Sequence, residues 1–371
     1  TFLLLAIALS TDEGLSPREF HDRALTRLLG GKGLGRLTVQ TRDEADLLLT
    51  DSLLRYLHHR LFGKLDPVAV DRKLHYADPP TLEDMVMQLG AALDAPDLGE
   101  HLTHLVREPA FYARLKEGLS RYRVAAANGG WEAIPTGAKL VPGVRDPRVA
   151  ALRERLRASG EYRGPSPPDP KVYDKGLQEA VKAFQGSHGL PADAVVGSRT
   201  LAELNVPVVE RIGQIRVNLE RMRWVYRDLP EQYLLVDVVG FQVYLMQGSE
   251  VQWSTRAQVG RADRQTPSFR DQLEYLELNP TWTVPPTILK DDILPKARLN
   301  PGYVAKKGLK AIDRNGRSVP LSAVNWHLPA SRFPYTLRQD GGGEKAALGK
   351  IKFMFPNRFS VYLHDTPSRR F

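Results

Sequence analysis

The sequence predicts an α+β multidomain chain, and two changes of hydrophobic period predict it. Apolar residues recur at helical spacing up to about residue 128 and again over about 145–206, and from about residue 232 the pattern alternates as strands do. The length agrees, since 371 residues hold two or three domains at about 150 residues each. A chain with 42% hydrophobic and 26% charged residues can bury a full core without metal or disulfide staples. It contains no cysteine, which removes disulfides, thiolate metal sites and, within these residues, any cysteine nucleophile. The formal net charge of +9 favours anionic polymers. Lys and Arg are scattered, however, and no zinc-finger, RRM or KH signature occurs, so no nucleic-acid partner is expected. No apolar run approaches the roughly 18 residues of a membrane span.

The N-terminal scaffold region, residues 1–144, reads as helix after helix up to about residue 128. Phe2 to Leu9 carries Ala6 and Ala8 in the manner of a secretion-signal end, but it lacks a basic leader and runs into Asp12, Glu13 and Gly14; a core helix ending in a polar turn is expected. Because the chain starts at Thr1, it is read as a fragment of a longer precursor. Leu47, Leu54, Leu57 and Leu61 are expected on one buried helix face. Thr81 with Asp84 forms a capping-box start, and Phe111 to Ala127 should end at Asn128-Gly129-Gly130. His58, His59, His101 and His104 lack a His-Glu-x-x-His frame or matching carboxylates, so they are read as structural and not as metal ligands. A Pro- and Gly-rich stretch from Trp131 to Asp146 then leads to a new unit, residues 145–206. It has helix stripes Val149, Leu152, Leu156 and Leu177, Val181, Phe184, then a short helix with Thr200, Leu201 and Leu204.

A connecting helix spans about 207–231, with Ile212, Ile215, Leu219 and Met222 on one stripe. Residues 232–371 form the β-rich domain. Its expected strands are Tyr233 to Val239, Phe241 to Met246, Val251 to Val259, Leu273 to Leu278, Ile351 to Phe355 and Ser360 to Leu363. An insertion over about 280–348, rich in Pro, Lys and Gly, interrupts them. Structureless loops of that length are rare unless they act as lids, so a mobile lid is expected, with Pro285-Pro286 as its stiff junction and Gly341-Gly342-Gly343 as its flexible one.

Several runs of residues carry a resemblance. Asp146-Pro147-Arg148-Val149, Leu152, Leu156, Leu177, Ala180-Val181, Phe184-Gln185, Gly189-Leu190-Pro191-Ala192-Asp193, Val196-Gly197 and Thr200-Leu201 together resemble a peptidoglycan-binding repeat. Ala194 departs from it, standing where a glycine is usual in the tight turn. In the β-rich domain the runs are Gly260-Arg261 with Arg264-Gln265-Thr266-Pro267, and Asn279-Pro280-x-Trp282-x-Val284-Pro285-Pro286. Leu348-Gly349-x-x-Lys352-Phe353-x-Phe355-Pro356-Asn357 and Val361-Tyr362-Leu363-His364-Asp365-Thr366-Pro367 follow. In this order they resemble the large periplasmic L,D-transpeptidases, in which a helical scaffold, the repeat and a lid-bearing, mainly-β catalytic domain share one chain.

That resemblance implies a cysteine acyltransferase that makes 3→3 peptidoglycan cross-links in the periplasm or cell envelope, with no metal or organic cofactor. It further implies His364 as general base and a cysteine roughly 15–20 residues after it. That cysteine would lie beyond Phe371, so the chain as given is expected to be inactive and to be a truncated form. Its partners would be peptidoglycan stem peptides and glycan, with membrane proximity but no span. Tyr362 is expected to share a strand face with His364, either near the reaction centre or simply packed. Asp365 would orient the imidazole or cap the turn at Thr366-Pro367. Trp282 would line a substrate groove or belong to the core of the insertion, and Arg264, Thr266 and Pro267 make a turn before a strand. Two rival readings remain, a non-catalytic wall-binding scaffold and a zinc amidase.

Overall fold

The computed structural model describes residues 2–30, 37–72, 74–76, 79–106, 108–227, 229–343 and 345–367; Thr1 and Phe371, where the outer domain bounds fall, lie outside them. The chain divides into two compact units, Thr1–Phe269 and Arg270–Phe371.

The first unit opens with helices α1 (Phe2–Leu9), α2 (Asp22–Leu29), α3 (Val39–Leu61), α4 (Pro67–Val70), α5 (Leu82–Asp94), α6 (Leu98–Thr103) and α7 (Ala110–Ala127). The first of them is a core helix, with Leu3 and Ile7 buried among Phe20, Leu25, Leu53, Leu57 and Leu102. The Leu stripe expected on α3 needs correction, because Leu47 is 72% exposed. The buried face instead runs through Ala45, Ser52, Leu53, Tyr56, Leu57 and Arg60. Of the four leucines Leu57 is fully buried and Leu61 packs against the same core, while a small, a hydroxyl and a charged residue fill the rest of the seam. Thr81 and Asp84 do form the reciprocal cap of α5. At the end of α7, Gly129 and Gly130 take φ of 94° and 74°, and the Gly130 N–H returns to the Ala125 carbonyl at 2.8 Å, closing the helix as left-handed glycines do.

Behind α7 lies the long helix α11 (Val208–Tyr226), and Tyr112, Leu119 and Leu219 form the core between them. Beside it sits a buried ionic cluster in which Glu13 accepts from Tyr112 Oη at 2.8 Å, pairs with Lys116 at 2.6 Å and meets Arg60. Burial works to raise the Glu13 carboxyl, but Arg60 and Lys116 overcome it and hold the group below the ordinary carboxylate range.

In chain order between α7 and α11 come α8 (Arg148–Ser159), α9 (Lys175–Ser187) and α10 (Ser198–Leu204), around a separate core of Val149, Leu152, Leu156, Leu177, Val181 and Phe184. Gln185, 1% exposed, ties the turn after α9: its Oε1 accepts from Ala194 N at 2.9 Å and its Nε2 donates to Asp193 Oδ1 at 2.9 Å. Ala194 has φ 62°, a left-handed conformation that costs an L-residue about 1–2 kcal/mol. This is the position where the resemblance led us to expect glycine.

The first unit closes with a meander, β2 (Gln232–Asp237), β3 (Gln242–Gln247) and β4 (Glu250–Arg256), paired antiparallel in chain order. The Gly260 to Thr266 turn follows, held by Gly260 N donating to Thr266 Oγ1 at 2.8 Å and Arg264 N to Arg261 O at 2.9 Å. It delivers β5 (Ser268–Phe269), which pairs in parallel with β1 (Leu74–His75).

In the second unit β6 (Tyr275–Leu278), β11 (Ile351–Met354) and β12 (Leu363–His364) make an antiparallel sheet in the order β12-β11-β6. The strand expected over Ser360 to Leu363 is corrected to these two residues, because Ser360 takes φ 55° in a turn that Asn357 organises. A larger correction concerns the insertion, which is no structureless loop. It folds into a four-stranded sheet, β7 (Trp282–Thr283), β8 (Leu309–Ile312), β9 (Ser318–Val319) and β10 (Thr336–Gln339), in the order β7-β10-β8-β9. Helices α12 (Pro286–Ile288), α13 (Leu294–Leu299) and α14 (Gly302–Lys306) belong to it. Val284, Ile293, Leu294, Val304, Leu309, Trp326 and Leu337 form its own core. High Pro and Gly content suggested a loop, but the apolar residues between the breakers are enough to bury a small core.

Candidate active site

His364 stands on β12, a strand too short to be found by alternation. Its register comes from β11: Lys352 is directly opposite His364, and Glu277 of β6 is directly opposite Lys352. Directly opposed residues in an antiparallel sheet share a face, so an acid, a base and an imidazole form one row across three strands. The imidazole is exposed, and its Nδ1 lies 2.6 Å from the backbone carbonyl of Asp365. A carbonyl only accepts, so in the neutral imidazole it is Nδ1 that carries the proton and Nε2 that holds the lone pair. That is the tautomer a general base needs.

The loop between β11 and β12 is held by Asn357. Its Nδ2 donates to the carbonyls of Phe355 at 2.7 Å and Val361 at 2.6 Å, and its Oδ1 accepts from Phe359 N at 3.0 Å and Val361 N at 3.2 Å. Tyr362 lies against Phe355, ring centroids 5.9 Å apart, and the Lys352 ammonium sits 3.9 Å from the centre of its ring, a cation–π contact. Tyr362 therefore precedes the paired residues of β12 instead of sharing a strand with His364. The Asp365 carboxylate accepts from Thr366 N at 2.8 Å, which is the turn-capping geometry; contact with the imidazole comes through its carbonyl.

Gly349 explains part of the Leu348-Gly349 run. It has φ 65°, and a Cβ there would come within 2.3 Å of Asp365 Cβ. Only glycine lets the start of β11 pass this close to the residue that follows the base. Trp282, half-buried on β7 opposite Gln339, packs on the insertion's core. The neck of the insertion is tight: Asn279 N donates to Lys350 O at 2.8 Å, and a Cβ on Gly341 would meet Asn279 O at 2.1 Å. The glycine run expected as slack makes a close crossing at Gly341 and Gly342, and only Gly343 is open.

Lys352 and Asn357 belong to the Leu348–Asn357 run, whose residues the resemblance assigns no role, and the structure gives each a part in holding the loop. The signal for Asn357 was an Asn followed by a break in alternation, a common sign of a side chain closing its own loop. Among the described residues no group of three or more His, Asp or Glu side chains gathers to hold a metal ion. His58 and His59 sit in the helical region, where burial pushes the His59 imidazole down to about 4. Among the described residues no helix is long and apolar enough to cross a membrane.

Comparison with known proteins matches three stretches of the chain, the last of which runs across the boundary between the two compact units. Residues 1–119 match the model of a scaffold domain, residues 145–204 that of a "Putative peptidoglycan binding domain", and residues 231–370 that of the L,D-transpeptidase catalytic domain. A Haemophilus influenzae protein described as a "Putative L,D-transpeptidase" is 30% identical over 156 residues, which are 42% of this chain and 31% of that protein. The matched stretch thus spans less than a third of the relative's length. Peptidoglycan-associated domains imply a cell-envelope location.

Proposed function

From a chain that carries an L,D-transpeptidase catalytic domain behind a scaffold domain and a peptidoglycan-binding domain, we propose a periplasmic enzyme, near the membrane but without a span among the described residues, that joins peptidoglycan stems. Its nucleophile is a cysteine in the chain that follows residue 371, and His364 is its base. The thiol proton passes to His364 Nε2, and the thiolate sulfur attacks the carbonyl before the terminal D-residue of a tetrapeptide stem. The C–N bond breaks, the leaving amine takes the proton back from Nε2, and a side-chain amine of a second stem then displaces the sulfur to give the 3→3 link. Backbone N–H groups around the cysteine would hold the developing oxyanion. The observation that carries this reading is the Nδ1–H bond to the Asp365 carbonyl, which in the neutral imidazole assigns the lone pair to Nε2. Tyr362, pinned by Phe355 and Lys352, forms the wall beside the base. In this reading Trp282 and the insertion built around it bound the donor stem.

The test is intact mass spectrometry after exposure to a carbapenem, whose strained carbonyl mimics the scissile amide. An adduct on the longer natural protein that is lost in His364→Gln, with none on the 371-residue chain, is the expected result. An adduct on the 371-residue chain, or none on the longer protein with His364 intact, overturns it.

A further inference from the structure

The net charge of the chain is concentrated in one place. Residues 280–348 hold eleven Lys and Arg against five Asp and Glu, so this insertion carries +6 of the chain's +9. Each of the eleven cationic side chains is exposed. The cations crowd around β8: Lys306 and Lys307 precede it, Arg314 and Arg317 lie in the turn that follows it, and Lys310 points outward from its middle, directly opposite Arg338 on β10. Like charges opposed across a ladder oppose folding; Asp340 offsets this pair from one side, and the other cations around β8 leave the surface net positive. The nearby acids are engaged locally. Asp313 Oδ1 accepts from Asn315 N and Arg317 N, both at 2.8 Å, to close its own turn, and Asp340 is held by Lys310.

We infer that this outer face of the insertion docks the free carboxylates of peptidoglycan stem peptides, a claim that rests on the function proposed above. The insertion leaves the sheet at the end of β6 and re-enters at β11, the strand that pairs with His364, so the cationic face and the base are carried by the same strand. Arg forks suit paired carboxylate oxygens and Lys supplies point charge. The two modes together tolerate stems that vary in sequence but share free carboxylates.

The experiment measures retention of the full 371-residue chain on purified sacculi from about 50 to about 300 mM NaCl, a range over which screening of exposed charges deepens. Three surfaces are compared: native sacculi, sacculi with their carboxylates amidated, and vesicles of anionic phospholipid. The variant combines Lys306→Gln, Lys307→Gln, Arg314→Gln and Arg338→Gln, all at exposed positions, with circular dichroism to verify folding. Retention of the variant on native sacculi at low salt should fall about tenfold and lose its salt dependence, as expected when steering charges are removed, and amidation should weaken the wild type to the same degree. Equal retention of variant and wild type, undiminished binding to amidated sacculi, or binding to vesicles in preference to sacculi would each overturn the inference. A failure of the acyl-transfer reading shows separately, as the missing carbapenem adduct on the longer protein.

Discussion

Replacing Gly349 by alanine should disable the site without touching a reacting group. Two costs add at this position. The left-handed backbone, φ 65°, costs an alanine about 1–2 kcal/mol. The new Cβ also falls 2.3 Å from Asp365 Cβ, and ordinary carbon contacts lie near 3.5–4.0 Å, so one chain must move by about 1 Å or more. The weaker partner is β12, which is paired to β11 at only Lys352↔His364 and Phe353↔Leu363. Turning Asp365 to clear the new Cβ would take its carbonyl off the Nδ1–H, a bond worth about 1 kcal/mol, and free the imidazole to change tautomer. A displacement of about 1 Å near reacting groups can cost about 100-fold in rate. The assay has two parts: imidazole nitrogen shifts of His364 by NMR in this chain, and carbapenem acylation of the longer protein. Gly343→Ala is the control, since a Cβ there meets nothing within 4 Å. If Gly349→Ala keeps the Nδ1–H tautomer and the wild-type acylation rate, the argument that this glycine positions the base is wrong.

Further outcomes can be measured in the first unit and the insertion. Phe184→Ala, at a fully buried aromatic in the three-helix module, should cost about 3–5 kcal/mol, read as early loss of amide protection across residues 145–204 while the α3 amides keep theirs. His59, held neutral by burial with its imidazole near 4 against 6.5 in the open chain, takes up a proton more readily when unfolded. Its contribution is therefore complete above about pH 6.5 and is lost as pH falls toward 4, by up to about 3 kcal/mol. Chemical denaturation at pH 7 and pH 4.5 should show the loss, and His59→Gln should flatten that slope. Trp282→Ala should destabilise the insertion by about 3 kcal/mol, in keeping with a half-buried core aromatic. Hydrogen exchange confined to β7, β8 and β10 would show it, and unchanged exchange there would point to a surface role instead.

The parts of the fold legible in the sequence are those where one local rule acts alone. The capping box at Thr81, the glycine stop after Ala127 and the stripes of α8 and α9 follow from neighbours a few residues apart. The legibility ends where distant residues decide. The seam of α3 depends on Arg60 finding Glu13 from another helix, which no hydrophobic count can foresee. In the insertion, β7 and β9 are two residues each, too short for a period to show, and they exist only because β8 and β10 lie between them. At the site, His364 itself was recognisable from its run of residues. Its row with Lys352 and Glu277, and the carbonyl that fixes its tautomer, belong to register and loop closure and leave no mark on local composition.

The crossing at Asn279 and Gly341 has a further consequence. The two chains that enter and leave the insertion are brought together by Asn279 N on Lys350 O, immediately beyond the last rung of the β6–β11 ladder, Leu278↔Ile351. Seen from that ladder, β6 and β11 are the arms of a hairpin whose turn happens to be some seventy residues long. The entropy of closing such a turn grows only slowly with its length, and here the insertion's own core does the closing. The hairpin and its cargo are thus thermodynamically separable. The cargo can lengthen, change its surface charge or be exchanged for a tight turn while the ladder beneath it, and the histidine it positions, keep their register.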